Sequence, residues 1–210
     1  MIDKAFETTK IHVWDWPVRV FHWTLAVCVF IAFLTGESER YSLLHQTMGY
    51  TTIGLIAFRL VWGLVGTRYA RFHQFIKGPR TVLAYLKSIR QGHAQHHVGH
   101  NPVGGMAVVL LMSLVALTAF SGWWMVEGDV AEWQEELHEF AANSLMLVVA
   151  IHVIGVALSS RLHRENLVLA MVSGVKNGYL HQGIAKSWGT IGILLLTVVL
   201  VFVGLQLQPW

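Results

Sequence analysis

One cysteine, four prolines and 13% charged residues in 210 positions are the scarcities of this chain. The single Cys28 excludes an internal disulfide, a cysteine-held zinc or iron–sulfur site and a C-x-x-C-H attachment of c-type haem. A globular chain carries about 25% charged residues, so half the usual complement argues against a soluble enzyme and against a disordered segment. No basic block is long enough to track a phosphate backbone, which excludes a nucleic-acid partner in spite of the net charge of +3. What the chain does have is 54% hydrophobic residues, nine Trp, twelve His and a mean hydropathy of +0.52. That composition places it in a membrane.

Apolar runs of about 20 residues predict five spans, at Val18–Thr35, Leu44–Val65, Val103–Val126, Leu137–Ser159 and Trp188–Leu207. The first run lacks an A-x-A cleavage site and is followed by Glu37-Ser38-Glu39-Arg40, so it reads as a retained span. Asn101 and Pro102 read as the cap and first residue of the third. The segment Pro79–Arg90, with Val82, Leu83, Leu86 and Ile89 on one face, and the segment Glu165–Val172 read as helices lying on the membrane.

Lys and Arg sort by side. Lys4, Lys10 and Arg19 fall in the N-terminal segment, Arg68, Arg71, Lys77, Arg80, Lys87 and Arg90 in the second loop, and Arg161, Arg164, Lys176 and Lys186 in the fourth. Arg40 alone lies on the opposite side, and Arg59 is inside the second span. The positive-inside rule then puts the N-terminus in the cytoplasm and the C-terminus in the periplasm of a multi-pass inner-membrane protein. Acidic residues run the other way. Glu37, Glu39, Glu127, Asp129, Glu132, Glu135, Glu136 and Glu139 face outward, against Asp3, Glu7, Asp15 and Glu165 inside.

Ionisable residues inside spans are rare and point to function. His22, His45, His138 and His152 occupy such places. A separation of 14 residues puts His138 and His152 on one helix face, about 21 Å apart along the axis. His45 shares the outer level with His138, and His22 the inner level with His152. Two His pairs at two depths of a helical bundle are what two bis-histidine b haems need. With two His per level and no carboxylate at the inner one, a closed zinc site is poorly supplied. A plain interhelical hydrogen bond stays open for any single one of them.

A weak repeat supports the pairing: Leu34-Thr35-Gly36 and Leu44-His45-Gln46 in the first hairpin answer Phe120-Ser121-Gly122 and Leu137-His138-Glu139 in the second. Arg59, 14 residues after His45, and Arg19, one turn before His22, are candidates for a haem propionate or ordinary basic anchors. The run containing His93, His96, His97 and His100 reads as a solvated polar loop, with metal binding and, for His100, a structural or quinone-proximal role left open. His12, His73, His163 and His181 carry no assignment.

Several segments together resemble the bacterial cytochrome b561 / Ni,Fe-hydrogenase cytochrome b family: Val13-Trp14-Asp15-Trp16-Pro17-Val18-Arg19-Val20-Phe21-His22-Trp23, Leu44-His45-Gln46-Thr47-Met48-Gly49-Tyr50, Arg59-Leu60-Val61-Trp62-Gly63, Gly99-His100-Asn101-Pro102-Val103-Gly104, the His138/His152 spacing, and Glu165-Asn166-Leu167-Val168. The resemblance implies an all-α integral membrane bundle with a four-helix di-haem core, over residues 1–186; the chain departs from that core in its fifth span, a transmembrane helix with a short periplasmic C-terminus over 187–210, which lacks His and charge and reads as a packing or partner-docking element rather than a redox one. It also implies two haem b, with His22, His45, His138 and His152 as iron ligands, a bound quinone, and electron exchange between the quinone pool and a periplasmic c-type cytochrome or hydrogenase-like subunit.

The acidic outer face would dock a basic partner surface, and membrane lipid and an oligomeric assembly complete the expected contacts. Two other functions stay open. Superoxide oxidation with quinone as acceptor is known in the family, although capture of an anion needs a positive mouth and this one is negative. A transporter or assembly protein with structural or proton-carrying histidines is the non-redox alternative.

Overall fold

The structure, a computed structural model, describes residues 8–93, 95–128 and 130–208, apart from the side chain of Glu127. Asp3, Lys4, Glu7 and Asp129 of the charge count lie outside the described residues. Among the described residues, five helices are long and apolar enough to cross a membrane: α1 (Trp16–Thr35), α2 (Ser42–Val65), α5 (Pro102–Glu127), α6 (Glu132–Leu162) and α8 (Gly189–Gln206). Short helices α3 (Phe72–Phe75), α4 (Pro79–Arg90) and α7 (Leu167–Ser173) sit in the two basic connections.

Local chemistry sets the helix starts. The Asp15 carboxylate accepts from Val18 N–H at 2.8 Å and Pro17 follows in the first turn of α1. Asn101 Oδ1 does the same for α5, accepting from Gly104 N–H at 2.7 Å ahead of Pro102. α6 begins at Glu132, five residues before its apolar run. Its N-terminus is polar, with Glu132 and Glu135 in the first turn and Gln134 Oε1 accepting from Ala131 N–H at 2.7 Å. Hydropathy therefore marked where the membrane would begin rather than where the helix does.

α2 is the central helix, packed on α1, α5 and α8; α5 pairs with α6, and α8 also lies along α1. One buried cluster threads the bundle through Phe21, Cys28, Met48, Leu55, Val115 and Leu145. The outward faces are apolar, as with Leu147, Ile154, Leu194 and Leu200 at about 60% exposure, and suit lipid rather than water. Lipid tails are as apolar as these side chains, so packing and hydrogen bonds hold such helices together.

One element was absent from the sequence expectations. Strand β1 (Thr9–His12) pairs antiparallel with β2 (Val175–Gly178), placing Ile11 opposite Lys176. Gly174, at φ +81, ends α7, and its carbonyl accepts from Val13 and Trp14 N–H. This small ladder ties the chain entering α1 to the segment leaving α7. A second buried cluster, including Val13, Trp14, Val18, Trp62 and Ala170, caps the bundle at its basic end.

Candidate functional site

At the acidic end, the two hairpins present a histidine each in matching ways. His45, near the start of α2, has Nδ1 2.9 Å from Ala32 O of α1. His138, in α6, has Nδ1 3.0 Å from Thr118 O of α5. Four residues after each carbonyl stands a glycine, and a Cβ there would meet the imidazole: 3.6 Å from His45 Cε1 at Gly36 and 2.9 Å from His138 Cε1 at Gly122. The preceding hydroxyls, Thr35 and Ser121, are buried and donate to the same carbonyls, Ala32 O and Thr118 O. The repeat seen in the sequence is thus a repeat of a histidine cradle.

A backbone carbonyl accepts from N–H, so Nδ1 carries the proton and Nε2 keeps its lone pair free. The two rings face each other at 6.1 Å between centroids, across an interplanar angle of 76°. They line a cavity of about 610 Å³ between α1, α2, α5 and α6, together with Gly36, Gly49, Gly122 and Val115. Small-molecule and cofactor sites measure roughly 300–1,000 Å³. Glu37 and Glu139 stand at its rim.

At the basic end, His22 on α1 is part-buried, its ring 5.0 Å from Trp23 and its Nδ1 enclosed without a hydrogen-bond partner. It lies within electrostatic reach of His152 on α6. His100 joins them, since its imidazole also feels His22, His152, Arg59 and Lys176. Sequence reasoning counted two histidines at this level; the structure brings three. The His100 ring packs between Trp14 at 4.7 Å and Phe75 at 4.8 Å, with Nδ1 unpartnered. Burial first, then the positive charge of Arg59, pushes its pKa from 6.5 down to about 3. The Gly-His-Asn-Pro segment was the one signal that could have singled it out.

Arg59 is 3% exposed, with its guanidinium 4.8 Å above Phe72 and Nη1 without a partner. Burial this deep is unlike a basic anchor, which keeps its head in water. Arg19 donates to Val172 O and covers Trp16 at 4.8 Å at the joint between α1 and α7, with Nε buried and without a partner among the described residues. Asp15, 1% exposed, accepts from Trp62 Nε1 at 3.1 Å and Thr67 Oγ1 at 2.6 Å as well as from the α1 backbone, fixing α1 to the end of α2. Of the remaining histidines, His96 contacts Glu165 and His163; His93, His12, His73 and His181 come into neither histidine group.

The family model of the prokaryotic cytochrome b561 matches residues 13–174, which takes in both histidine pairs. The chain belongs to this family. It is a multi-pass membrane protein and an electron-transfer cytochrome b, and a b-type cytochrome carries haem b. The match ends before α8.

Curated relatives share the description "probable Ni/Fe-hydrogenase B-type cytochrome subunit". The protein of Rhodobacter capsulatus is 23% identical over 79% of this chain and 81% of its own length. That of Bradyrhizobium diazoefficiens is 21% identical over 82% and 88%, and that of Rhizobium leguminosarum bv. viciae 22% identical over 82% and 91%. No solved structure matches the chain significantly.

The cradle at the acidic end fits a b haem. Two iron–nitrogen bonds of about 2 Å and the two ring radii separate the centroids of a bis-imidazole pair by about 6 Å. The observed spacing is 6.1 Å, with the tautomer already set. At the basic end the fit rests on the orphaned Nδ1 of His22 and on a cation, Arg59, held inside the bundle without an anionic contact to its Nη1.

Proposed function

We propose that this cytochrome holds two b haems, one between His45 and His138 and one between His22 and His152, and passes electrons between the membrane quinone pool and a periplasmic protein. The observation that carries the reading is the pair of carbonyl-pinned imidazoles facing each other across the cavity at the acidic end. When bound, the haem iron supplies reversible one-electron transfer. The chain supplies the rest. Ala32 O and Thr118 O hold the imidazole Nδ1 protons, Gly36 and Gly122 leave room for the rings, and Arg59 and Arg19 offer guanidinium groups to propionates at the inner level.

Quinone exchanges electrons at the inner level, where His22, His100 and His152 lie close to the basic face. α6 connects the levels, with His138 and His152 on one face about 21 Å apart at 1.5 Å per residue. The basic end faces the cytoplasm and the acidic end the periplasm of the inner membrane, in keeping with thirteen of fifteen Lys and Arg on the basic side. Glu37, Glu39, Glu132, Glu135, Glu136 and Glu139 are exposed at the other end, around Arg40, and give a basic partner an acidic landing face. The names of the relatives favour a hydrogenase-like subunit as that partner.

Haem content decides the reading. The purified chain should bind two haem b per polypeptide, and His138→Ala should lose the outer one and keep the inner. One haem in the parent, or both retained in the variant, would overturn the pairing.

A further inference from the structure

Glu165 follows α6 at the basic end and is almost enclosed, its side chain 12% exposed. Lys176 of β2, 3% exposed, holds its Oε2 at 2.9 Å, and His96, 47% exposed, reaches the same oxygen with Nε2 at 3.5 Å. Oε1 is buried and has no hydrogen-bond partner among the described residues. The Lys176 ammonium also donates to His97 O at 3.3 Å. His163 closes the group: its ring is 5.6 Å from that of His96, and its Nε2 lies 3.3 Å from Tyr85 Oη of α4. Glu165 is therefore faced by His96 from the loop before α5, by His163 from just past the end of α6 and by Lys176 from β2, with Tyr85 of α4 behind His163 and the ring of His97 against Tyr85.

Exposure falls stepwise along this series, from His96 at 47% through Glu165 at 12% to Lys176 at 3%. Beyond Lys176 lies His100, which feels the Lys176 charge together with those of His22 and His152. Lys176 is bonded to the carbonyl of His97, three residues before His100, so the cluster adjoins the loop that carries His100 against Trp14. A bond made only to fasten α6 to the cap would gain nothing from an imidazole at the surface or a buried oxygen left without a partner.

We propose that the Glu165 cluster is a proton port, moving protons between water on the basic side and the inner histidine site. The inference rests on the reading that quinone reacts at that site. Reducing one quinone to quinol takes two electrons from the reduced cytochrome and two protons, and those protons enter here; quinol oxidation sends both back by the same groups. His96 exchanges a proton with water. Glu165 takes it on Oε2, the oxygen that His96 Nε2 faces, and turning of the carboxyl group, free at Oε1, releases it inward. Lys176, 2.9 Å from the same oxygen, holds the carboxyl group in place beside the imidazole.

The test uses the reduced holoprotein in detergent, mixed anaerobically with decylubiquinone or with menadione from about pH 6 to about pH 9. Haem reoxidation is followed optically, and ferricyanide serves as an acceptor that takes no proton. Glu165→Gln should keep the parent haem spectrum and the parent rate with ferricyanide. With quinone it should slow about tenfold or more, and added formate or imidazole, acting as a mobile proton carrier, should restore it.

An unchanged quinone rate across the range overturns the port, and so does an equal loss with ferricyanide, which would mark a purely structural bond. If Glu165→Gln fails to assemble, His96→Gln, altered at an exposed side chain, decides. A several-fold slowing near neutral pH that imidazole reverses supports the port, and a parent-like rate overturns it. Should neither quinone reoxidise the parent while ferricyanide does, the quinone reading fails and takes the port with it.

Discussion

The two histidine cradles are alike in plan and unequal in clearance, and that inequality makes a strong prediction. A Cβ on Gly36 would sit 3.6 Å from His45 Cε1, an ordinary contact, while one on Gly122 would sit 2.9 Å from His138 Cε1 and 3.2 Å from its Nδ1. Carbon atoms settle at about 3.5–4.0 Å, so Gly122→Ala drives the His138 ring back by at least about 0.6 Å. Its Nδ1 bond to Thr118 O starts at 3.0 Å. A shift of that size along the bond takes it to about 3.6 Å, where it no longer counts as a hydrogen bond, and also disturbs the 3.1 Å contact of the same Nδ1 with Ser121 Oγ.

Losing such a bond costs about 1 kcal/mol, and disturbing the partner of a metal-ligating histidine lowers metal affinity about 10- to 100-fold. The backbone gives the opposite push. Gly122 lies inside α5, where alanine favours helix by about 1 kcal/mol in water, so a defect cannot be charged to the helix. Haem per polypeptide by pyridine haemochrome, with a redox titration of what remains, should show the outer haem lost or its potential shifted in Gly122→Ala. Gly36→Ala should match the parent. Equal loss in both, or full retention of an unshifted outer haem in Gly122→Ala, would refute the cradle.

Three further outcomes are expected. Asp15→Ala strands the Trp62 and Thr67 donors and the Val18 N–H, and should lower stability by about 3 kcal/mol or more, read as the midpoint of haem loss on heating or in denaturant. His100 stays neutral in the fold down to about pH 3 but takes a proton near 6.5 when unfolded. Unfolding therefore binds a proton between those values, and the stability that neutral His100 confers is present above about pH 6.5 and lost as pH falls. The slope is up to about 1.4 kcal/mol per unit, and His100→Gln should flatten an acid titration of the melting temperature. A C-terminal alkaline phosphatase fusion should be active and a C-terminal green fluorescent protein fusion dark; the reverse pattern would invert the proposed orientation.

Much of the inner arrangement was hidden from the sequence for a physical reason. Hydropathy and the 3.6-residue period report what a helix can bury, so they found five spans and put His138 and His152 on one face of α6. They say nothing about which loop folds back over a helix end. His100 precedes α5 in a run of histidines that reads as solvated loop, yet Trp14 and Phe75 enclose its ring. Trp14 is in place because β1 pairs with β2, two four-residue strands too short to announce themselves. Lys176 likewise reads as one more cation of the basic side, and only the ladder opposite Ile11 turns it inward to Glu165.

What the sequence determined alone was the solvent, the number of crossings, the distribution of charge and the two levels at which histidines stand. Each follows from composition or from a period along one helix, and needs no knowledge of the neighbours. Tertiary structure decided what depends on contacts between distant segments. It set the carbonyls that fix the tautomers of His45 and His138, the unequal room left by Gly36 and Gly122, the burial of Arg59, and the meeting of Glu165 with Lys176 and His96.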